Sequence, residues 1–501
     1  MKKIASTLLL LCSFSFLNAQ TQGIAYTTVG KGVATTFVTD YHCLGINTSA
    51  LGWGSGYEKY KITTGGFEMN GGLYSDAFNS TKLKNLARTM YQQVKKDSST
   101  AKIDWAAQRD AAAEYATAGL YIDGQYNWGG FAFQGPRFGG IAFNVTESYN
   151  YYSKLNSTMT DIIFRGKFSS YFDSLTVVVD MDTSVIANSD TLSEETLNNV
   201  VLGKISVPLK LSQMTEGSEI RMVWNRSYNF GYGRKIFGKD SVFVIYGGIG
   251  GRLIQSMAMF EMRSDGQNVT LFSSITPAFK INYGDVATMN SSSFLNYSGG
   301  IPPSVGMGYG LDFSASAILF NKLKVALSVN NIGSVEYKRN VYTVKDTLVG
   351  NISLAGLNPN SDNLTDGIKQ LLQAGGILTL VGEEKYKMQN PSTLRIGASF
   401  HPFRQLSVGF DFVAPFNKDN PGGIENAVIS FGGDIKPVKW LQLSIGFLGG
   451  GIYKTNMPMG INFILREGKY EFGIASRDAL TFFTTNSNTV SGAMGIARVR
   501  F

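Results

Sequence analysis

Histidine and cysteine are almost missing from this chain, with two of each in 501 residues. His42 and His401 cannot supply a multi-histidine metal centre, and His401 stands before Pro402 in a predicted short turn. Cys12 lies in the N-terminal leader, so its removal leaves Cys43 alone and no intramolecular disulfide can form. Charged residues make up only 16% of the chain. The net charge of +8 is spread without the basic runs that nucleic-acid binding requires. No later segment has 18 consecutive apolar residues, which excludes a membrane-spanning helix from the mature chain.

Catalytic signatures are equally sparse. There is no Gly-x-Ser-x-Gly elbow. Gly247–Gly251 and Gly449–Gly451 do not complete a nucleotide fingerprint and read as barrel bends or loop ends. Val177–Thr183 runs Val-Val-Val-Asp-Met-Asp-Thr, similar to the nucleophile loop of haloacid-dehalogenase-type phosphatases. There Asp180 would attack phosphorus and Asp182 would act as acid and base. That chemistry needs a parallel α/β domain, and no βαβ alternation surrounds the segment. An exposed acidic turn, or a weak calcium contact, is the plainer reading. The expectation is a protein with no catalytic residues, no cofactor and no metal, and hence not an enzyme.

What is present points to a membrane. Lys2 and Lys3 precede an apolar run from Ile4 to Leu11, and Asn18-Ala19 offers a cleavage site, so residues 1–19 read as a secretory signal peptide. Glycine is abundant at 57 residues, with 24 Tyr and 33 Phe. Glycine lets strands bend around a barrel, and aromatics populate its two interface girdles. The chain ends Ala-Met-Gly-Ile-Ala-Arg-Val-Arg-Phe, a period-two pattern closed by an aromatic residue. This resembles the terminal signal of bacterial outer-membrane barrels. A soluble edge strand is the competing reading of these nine residues alone.

The second half decides between them. Met307, Tyr309, Leu311 and Phe313 alternate with Gly308, Gly310, Asp312 and Ser314, and after a turn at Asn321-Lys322 the run Leu323–Asn330 alternates again. Hairpins of the same kind recur around turns at 401–405, 436–439 and 466–469. Connections at 333–391, 414–425, 448–456 and 478–490 are longer. Short turns on one side and long loops on the other mark an outer-membrane barrel, with the C-terminus on the short-turn, periplasmic side. The first half predicts strands at 58–69, 119–133, 138–150, 161–172, 201–211, 219–227, 240–250 and 252–263. Helical spacing and alanine richness predict a helical excursion over 81–117, and a second short helix over Thr365–Ala374.

Residues 32–53, which include Asp40-Tyr41 and Asn47-Thr48-Ser49-Ala50-Leu51, resemble the start of the DUF5723 type of Bacteroidota outer-membrane protein. Arg226–Arg234 and Ser328–Gly333 add to the resemblance. That family is similar in turn to FadL-like hydrophobic-compound transporters and to type IX secretion-associated barrels. Those relatives carry Asn-Pro-Ala-x-Leu where this chain has Thr48 and Ser49 after Asn47. The resemblance implies an all-β fold: a transmembrane antiparallel β-barrel of about 14 strands, FadL-like, with an N-terminal lumen plug and a helical loop excursion. The implied division is a plug or lead segment over 20–57 and a barrel over 58–501, with 333–391 as a long extracellular loop.

Two functions compete from this point. The first is an outer-membrane channel passively admitting small hydrophobic or amphipathic compounds, with Asp40, Tyr41, Asn47, Leu51 and Trp53 as solute or gate contacts. Arg498 and Arg500 are lumen-facing candidates, to pair with lumen carboxylates or bind anions. The second is a non-catalytic scaffold barrel that holds a surface or secretion-system protein through its long loops. Both place outer-membrane lipid around the wall.

Overall fold

The computed structural model describes residues 25–57, 59–93, 104–239, 242–357, 364–418, 420–451 and 454–501. The signal peptide expected over 1–19 lies outside the described residues. Fourteen antiparallel strands close into a barrel. Strand β1 is interrupted (Ile62–Gly66 and Glu68–Ser75), and β2 (Leu120–Gly135), β3 (Gly139–Lys154), β4 (Glu219–Lys239) and β5 (Phe243–Ser264) follow. The wall continues through β6 (Gly306–Leu319), β7 (Leu323–Tyr337), β8 (Thr393–Phe403), β9 (Leu406–Pro415) and β10 (Val428–Val438). It ends with β11 (Leu441–Gly450), β12 (Met459–Leu465), β13 (Tyr470–Ser476) and β14 (Thr489–Arg500). The cylinder closes where β14 pairs with β1, with Arg498 opposite Gly65 and Ala493 opposite Asn70.

Alternation decides which side chains meet lipid. Met307, Tyr309, Leu311 and Phe313 of β6 are exposed on the outside, and Asp312 and Ser316 between and beyond them are buried inside. Phe131, Phe230, Phe431 and Ile445 continue the apolar exterior on other strands. Phe138, Phe237, Phe320, Phe403 and Trp440 lie exposed at the short-turn ends, forming one aromatic girdle. A closed wall leaves no unpaired strand edge, and with this exterior it is a membrane-spanning barrel.

Three first-half expectations are corrected. Residues 161–172 are not a strand but the end of a helix, Ser157–Arg165, and a following 3-10 turn. The helix begins because Asn156 caps it, its side chain accepting from the Met159 N–H at 2.7 Å. Residues 201–211 do form a strand, but Val200–Lys210 belongs to a separate four-stranded sheet with Ser174–Val179, Asp182–Ala187 and Leu348–Ile352. The expected strands 219–227, 240–250 and 252–263 are two long ones, because Gly247–Gly251 continues β5 instead of breaking it. The 81–117 excursion consists of helices Ser80–Gln93 and Trp105–Tyr115. The stretch 333–391 contains the end of β7, four short strands and the helix Leu364–Leu372. One apolar cluster joins Leu83, Met159, Ile162, Leu211, Phe260, Ile368 and Leu372, so these helices pack as one body on the long-loop end of the barrel.

Candidate functional site: the lumen plug and the chamber above it

Residues 25–57 add no strand to the wall. They coil through three short helical turns, Tyr26–Val29, Asp40–Cys43 and Thr48–Trp53. They fill the half of the lumen nearest the short turns and join β1 where the Lys61 N–H donates to the Phe501 carbonyl at 2.9 Å. The wall is glycine-rich where they pass. A methyl group at Gly65 or Gly130 would enter the Tyr41 ring or hydroxyl, and one at Gly432 or Gly446 would strike the Lys31 carbonyl. Much of the glycine content therefore permits close approach of a buried segment to the barrel wall.

Buried polar contacts fasten the plug on several sides. Asp40, at φ 50°, accepts from Arg498 Nη2 at 2.5 Å. Glu471 accepts from Arg498 Nη1 at 3.0 Å and from Arg500 Nη2 at 2.6 Å, so two cations balance two carboxylates. Each of the four is under a tenth exposed, and unbalanced charges there would carry a heavy desolvation penalty. Glu68 accepts from the Tyr41 hydroxyl at 2.8 Å and from Asn127 Nδ2 at 2.8 Å, and His42 Nε2 lies 2.9 Å from it. Lys31 pairs with Asp434. Asp411 accepts from the Ala34 and Thr35 N–H groups at 2.7 and 2.9 Å. Ser49 donates to Ser316 at 2.6 Å, and Trp53 Nε1 donates to the same hydroxyl at 3.0 Å beneath the Lys324 ammonium.

The arginines reach the lumen through a break in alternation. Gly495 faces inward against Tyr26, and three residues later Arg498 also faces inward. Strict alternation over an odd spacing of three would send one of them to lipid. A bulge resolves the conflict: β14 pairs with β13 at Glu471–Arg498 and then at Gly473–Gly495. Met494 and Ile496 thereby point out while Arg498 and Arg500 point in, although all four share a parity in sequence. Strand β1 is interrupted at the same level at Phe67, whose φ is 54°, which lets Gly65 and Glu68 both face the plug.

Above the plug lies a chamber of about 160 Å³. Its floor is Ala25, His42, Leu44, Gly45 and Ile46, and its walls carry Gln125, Asn127, Asn144, Asn225, Asn229 and Arg252. Asn229 Nδ2 donates to Asn144 Oδ1 at 2.8 Å across β3 and β4, and Arg252 pairs with Asp312 at 2.8 Å. None of Asp40, Tyr41, Asn47, Leu51 and Trp53 lines this chamber. Asp40, Tyr41, Asn47 and Leu51 are fully buried against the wall, and Trp53 is half-buried. The wall amides were missed at the sequence level. Their signal is a polar period-two row such as Asn144, Thr146, Ser148 and Asn150.

The Asp180–Met181 segment is a hairpin turn at positive φ between antiparallel strands, with Met181 almost fully exposed. Among the described residues, no group of three or more His, Cys, Asp or Glu is placed to hold a metal ion.

Fold and site together define a membrane-spanning barrel with a lumen plug. The chain belongs to the DUF5723 family, a family of unknown function, whose model matches residues 214–472. No curated protein matches it. Among solved structures it is similar to the Pseudomonas putida toluene transporter TodX, at 10% identity over 97% of this chain and 98% of that one, TM-score 0.40. It is similar also to a deltaS2S3 mutant of the TodX monoaromatic hydrocarbon channel, at 10% identity over 95% and 98%, TM-score 0.46. A Pseudomonas aeruginosa FadL homologue is 8% identical over 97% of both chains, TM-score 0.38.

Proposed function

We propose that the protein is a passive outer-membrane channel for a small amphipathic solute, gated by its own N-terminal plug. The observation that carries this reading is how the plug is held. It occupies the lumen without joining the sheet, fastened by side-chain contacts such as Asp40–Arg498 and Glu68–Tyr41. Such a segment can leave without breaking a strand ladder. The mixed polar and apolar lining of the chamber suits an amphipathic solute better than a purely hydrophobic one. Asp40, Tyr41, Asn47, Leu51 and Trp53 act in this reading as gate anchors, and Arg498 and Arg500 hold the gate from the lumen wall. An even strand number and the division between short turns and long loops support placement in the outer membrane, after removal of residues 1–19.

Conductance of the purified barrel in planar bilayers tests the proposal. A variant with the latch weakened, Arg498→Ala, is expected to open far more often than the unaltered chain. A folded Arg498→Ala barrel that stays closed would sink it.

A second reading, a scaffold for a surface protein, rests on the separate four-stranded sheet, which leaves Val185, Val207 and Leu348 exposed. Recovery of a stoichiometric protein partner, lost on Val185→Glu with Val207→Glu, would favour it.

A further inference from the structure

Residues that line the chamber carry buried polar atoms that the protein itself leaves without partners. Gln125 Oε1, Asn127 Oδ1 and Asn225 Oδ1 are buried acceptors with no hydrogen bond, and His42 Nδ1 and Arg252 Nε are buried without one. Asn127 is fully buried, and its orientation is fixed from the other end. Its Nδ2 donates to Glu68 Oε2 at 2.8 Å, and a carboxylate only accepts, so the amide oxygen must face away from Glu68. Each such orphaned atom destabilises the fold when nothing meets it.

We propose that this chamber binds a small neutral polyhydroxyl solute, a monosaccharide or sugar alcohol in its chemistry. The inference rests on the channel reading and names its solute class. Charge argues for neutrality. Arg252 is paired with Asp312 at 2.8 Å, Glu147 with Arg226 at 3.2 Å, and Glu68 beside the chamber is engaged by Tyr41, His42 and Asn127, so among the described residues no charged group at the chamber waits for a counter-ion. The orphans argue for hydroxyls. Three amide oxygens need donors, and so does His42 Nδ1, because Nε2–H must donate to Glu68 and leaves Nδ1 of the neutral ring as an acceptor; Arg252 Nε needs an acceptor. A hydroxyl group supplies both functions from one atom. An aromatic hydrocarbon would leave all five atoms unmet, and among the residues lining the chamber only the His42 imidazole offers it a ring. A site built from hydrogen-bonding groups rejects a solute that cannot use them far more strongly than an apolar pocket rejects a polar one.

The full chain in detergent micelles provides the test, with D-glucose, D-mannitol and toluene as probes followed by saturation-transfer NMR titration. Gln125→Leu with Asn225→Leu removes two orphan acceptors and leaves the plug contacts described above in place. The expected result is saturable binding of D-glucose or D-mannitol, weakened by about tenfold or more in that variant, which retains the fast migration of an unheated, folded barrel on a gel. Saturable binding of toluene that survives or tightens in the leucine variant would overturn the proposal. So would a folded barrel that binds neither polyhydroxyl. Swelling of proteoliposomes carrying Arg498→Ala separates this inference from the channel reading. Saturable sugar binding without any swelling keeps the site and sinks the channel. Swelling without saturable sugar binding keeps the channel and sinks the site.

Discussion

Arg498, near the C-terminus, meets Asp40 in the plug at 2.5 Å across 458 positions of sequence, and the same guanidinium holds Glu471 at 3.0 Å. The two ends of the chain are thus tied through one side chain. The tie is asymmetric. Removing Asp40 leaves Arg498 with Glu471, whereas removing Arg498 leaves Asp40 with Arg500, at 4.0 Å, as its one cation among the described residues.

Arg498→Ala is therefore expected to loosen the plug more than Asp40→Ala. Stripping one partner from a buried pair costs about 3–5 kcal/mol because a charge stays behind uncompensated. Cleavage of residues 25–57 by added protease, with barrel folding checked by gel mobility, reads the difference. Equal protection in both variants would show that the plug is held elsewhere.

Gly130 and Tyr41 should behave as a coupled pair. Gly130→Ala puts a methyl group into the Tyr41 ring, and Tyr41→Ala removes the 2.8 Å hydrogen bond to Glu68. Each change alone is expected to loosen the plug, and the double variant to lose less than the sum, with a coupling of about 0.5–3 kcal/mol. Cys43, fully buried in the plug, serves as the probe, since its reaction with a thiol reagent requires the plug to move. Additive labelling rates would mean the ring and the wall do not touch.

The later hairpins were legible because the runs beside their short turns keep one parity: residues such as Leu441, Leu443 and Ile445 sit opposite Phe463, Ile461 and Met459 without interruption. The plug contacts were less legible. Arg498 and Arg500 share parity with Met494 and Ile496, and only a bulge, which pairing with β13 reveals, separates the two pairs. The chamber was hidden for a different reason. Gln125, Asn144 and Asn225 are ordinary lumen-facing amides on three strands, and their grouping follows from closure of the barrel and from the level at which the plug stops. The 161–172 segment misled because Ile162, Ile163 and Phe164 read as a strand, and the Asn156 cap that makes them helical lies six residues before them.

Trp53 contributes through two separable contacts. Its Nε1 donates to Ser316 at 3.0 Å, and the Lys324 ammonium lies 4.5 Å from its ring centre. Trp53→Phe keeps a ring beneath the ammonium and loses the hydrogen bond, an expected loss of about 1 kcal/mol. Trp53→Ala loses both and about 0.5–2 kcal/mol more. The Cys43 labelling rate should rise in that order, with barrel assembly unchanged. Equal rates for the two variants would leave the cation–π contact without a role.

Nearer the long-loop end, Arg477 makes a fork with Asp123, at 2.7 Å to Oδ1 and 2.6 Å to Oδ2, and donates to Asn70 at 2.9 Å. These contacts join β1 and β2 to the connection after β13, on either side of the closing seam. Asp123→Ala would leave a buried guanidinium without its carboxylate, at an expected cost of about 3–5 kcal/mol. Asp123→Leu combined with Arg477→Met removes both charges and is expected to recover most of that loss, since replacing a buried pair with apolar residues is often neutral. Urea unfolding midpoints of the barrel in detergent measure both variants. If the double variant is no more stable than Asp123→Ala, the pair does more than balance charge, and its geometry is what keeps the seam closed.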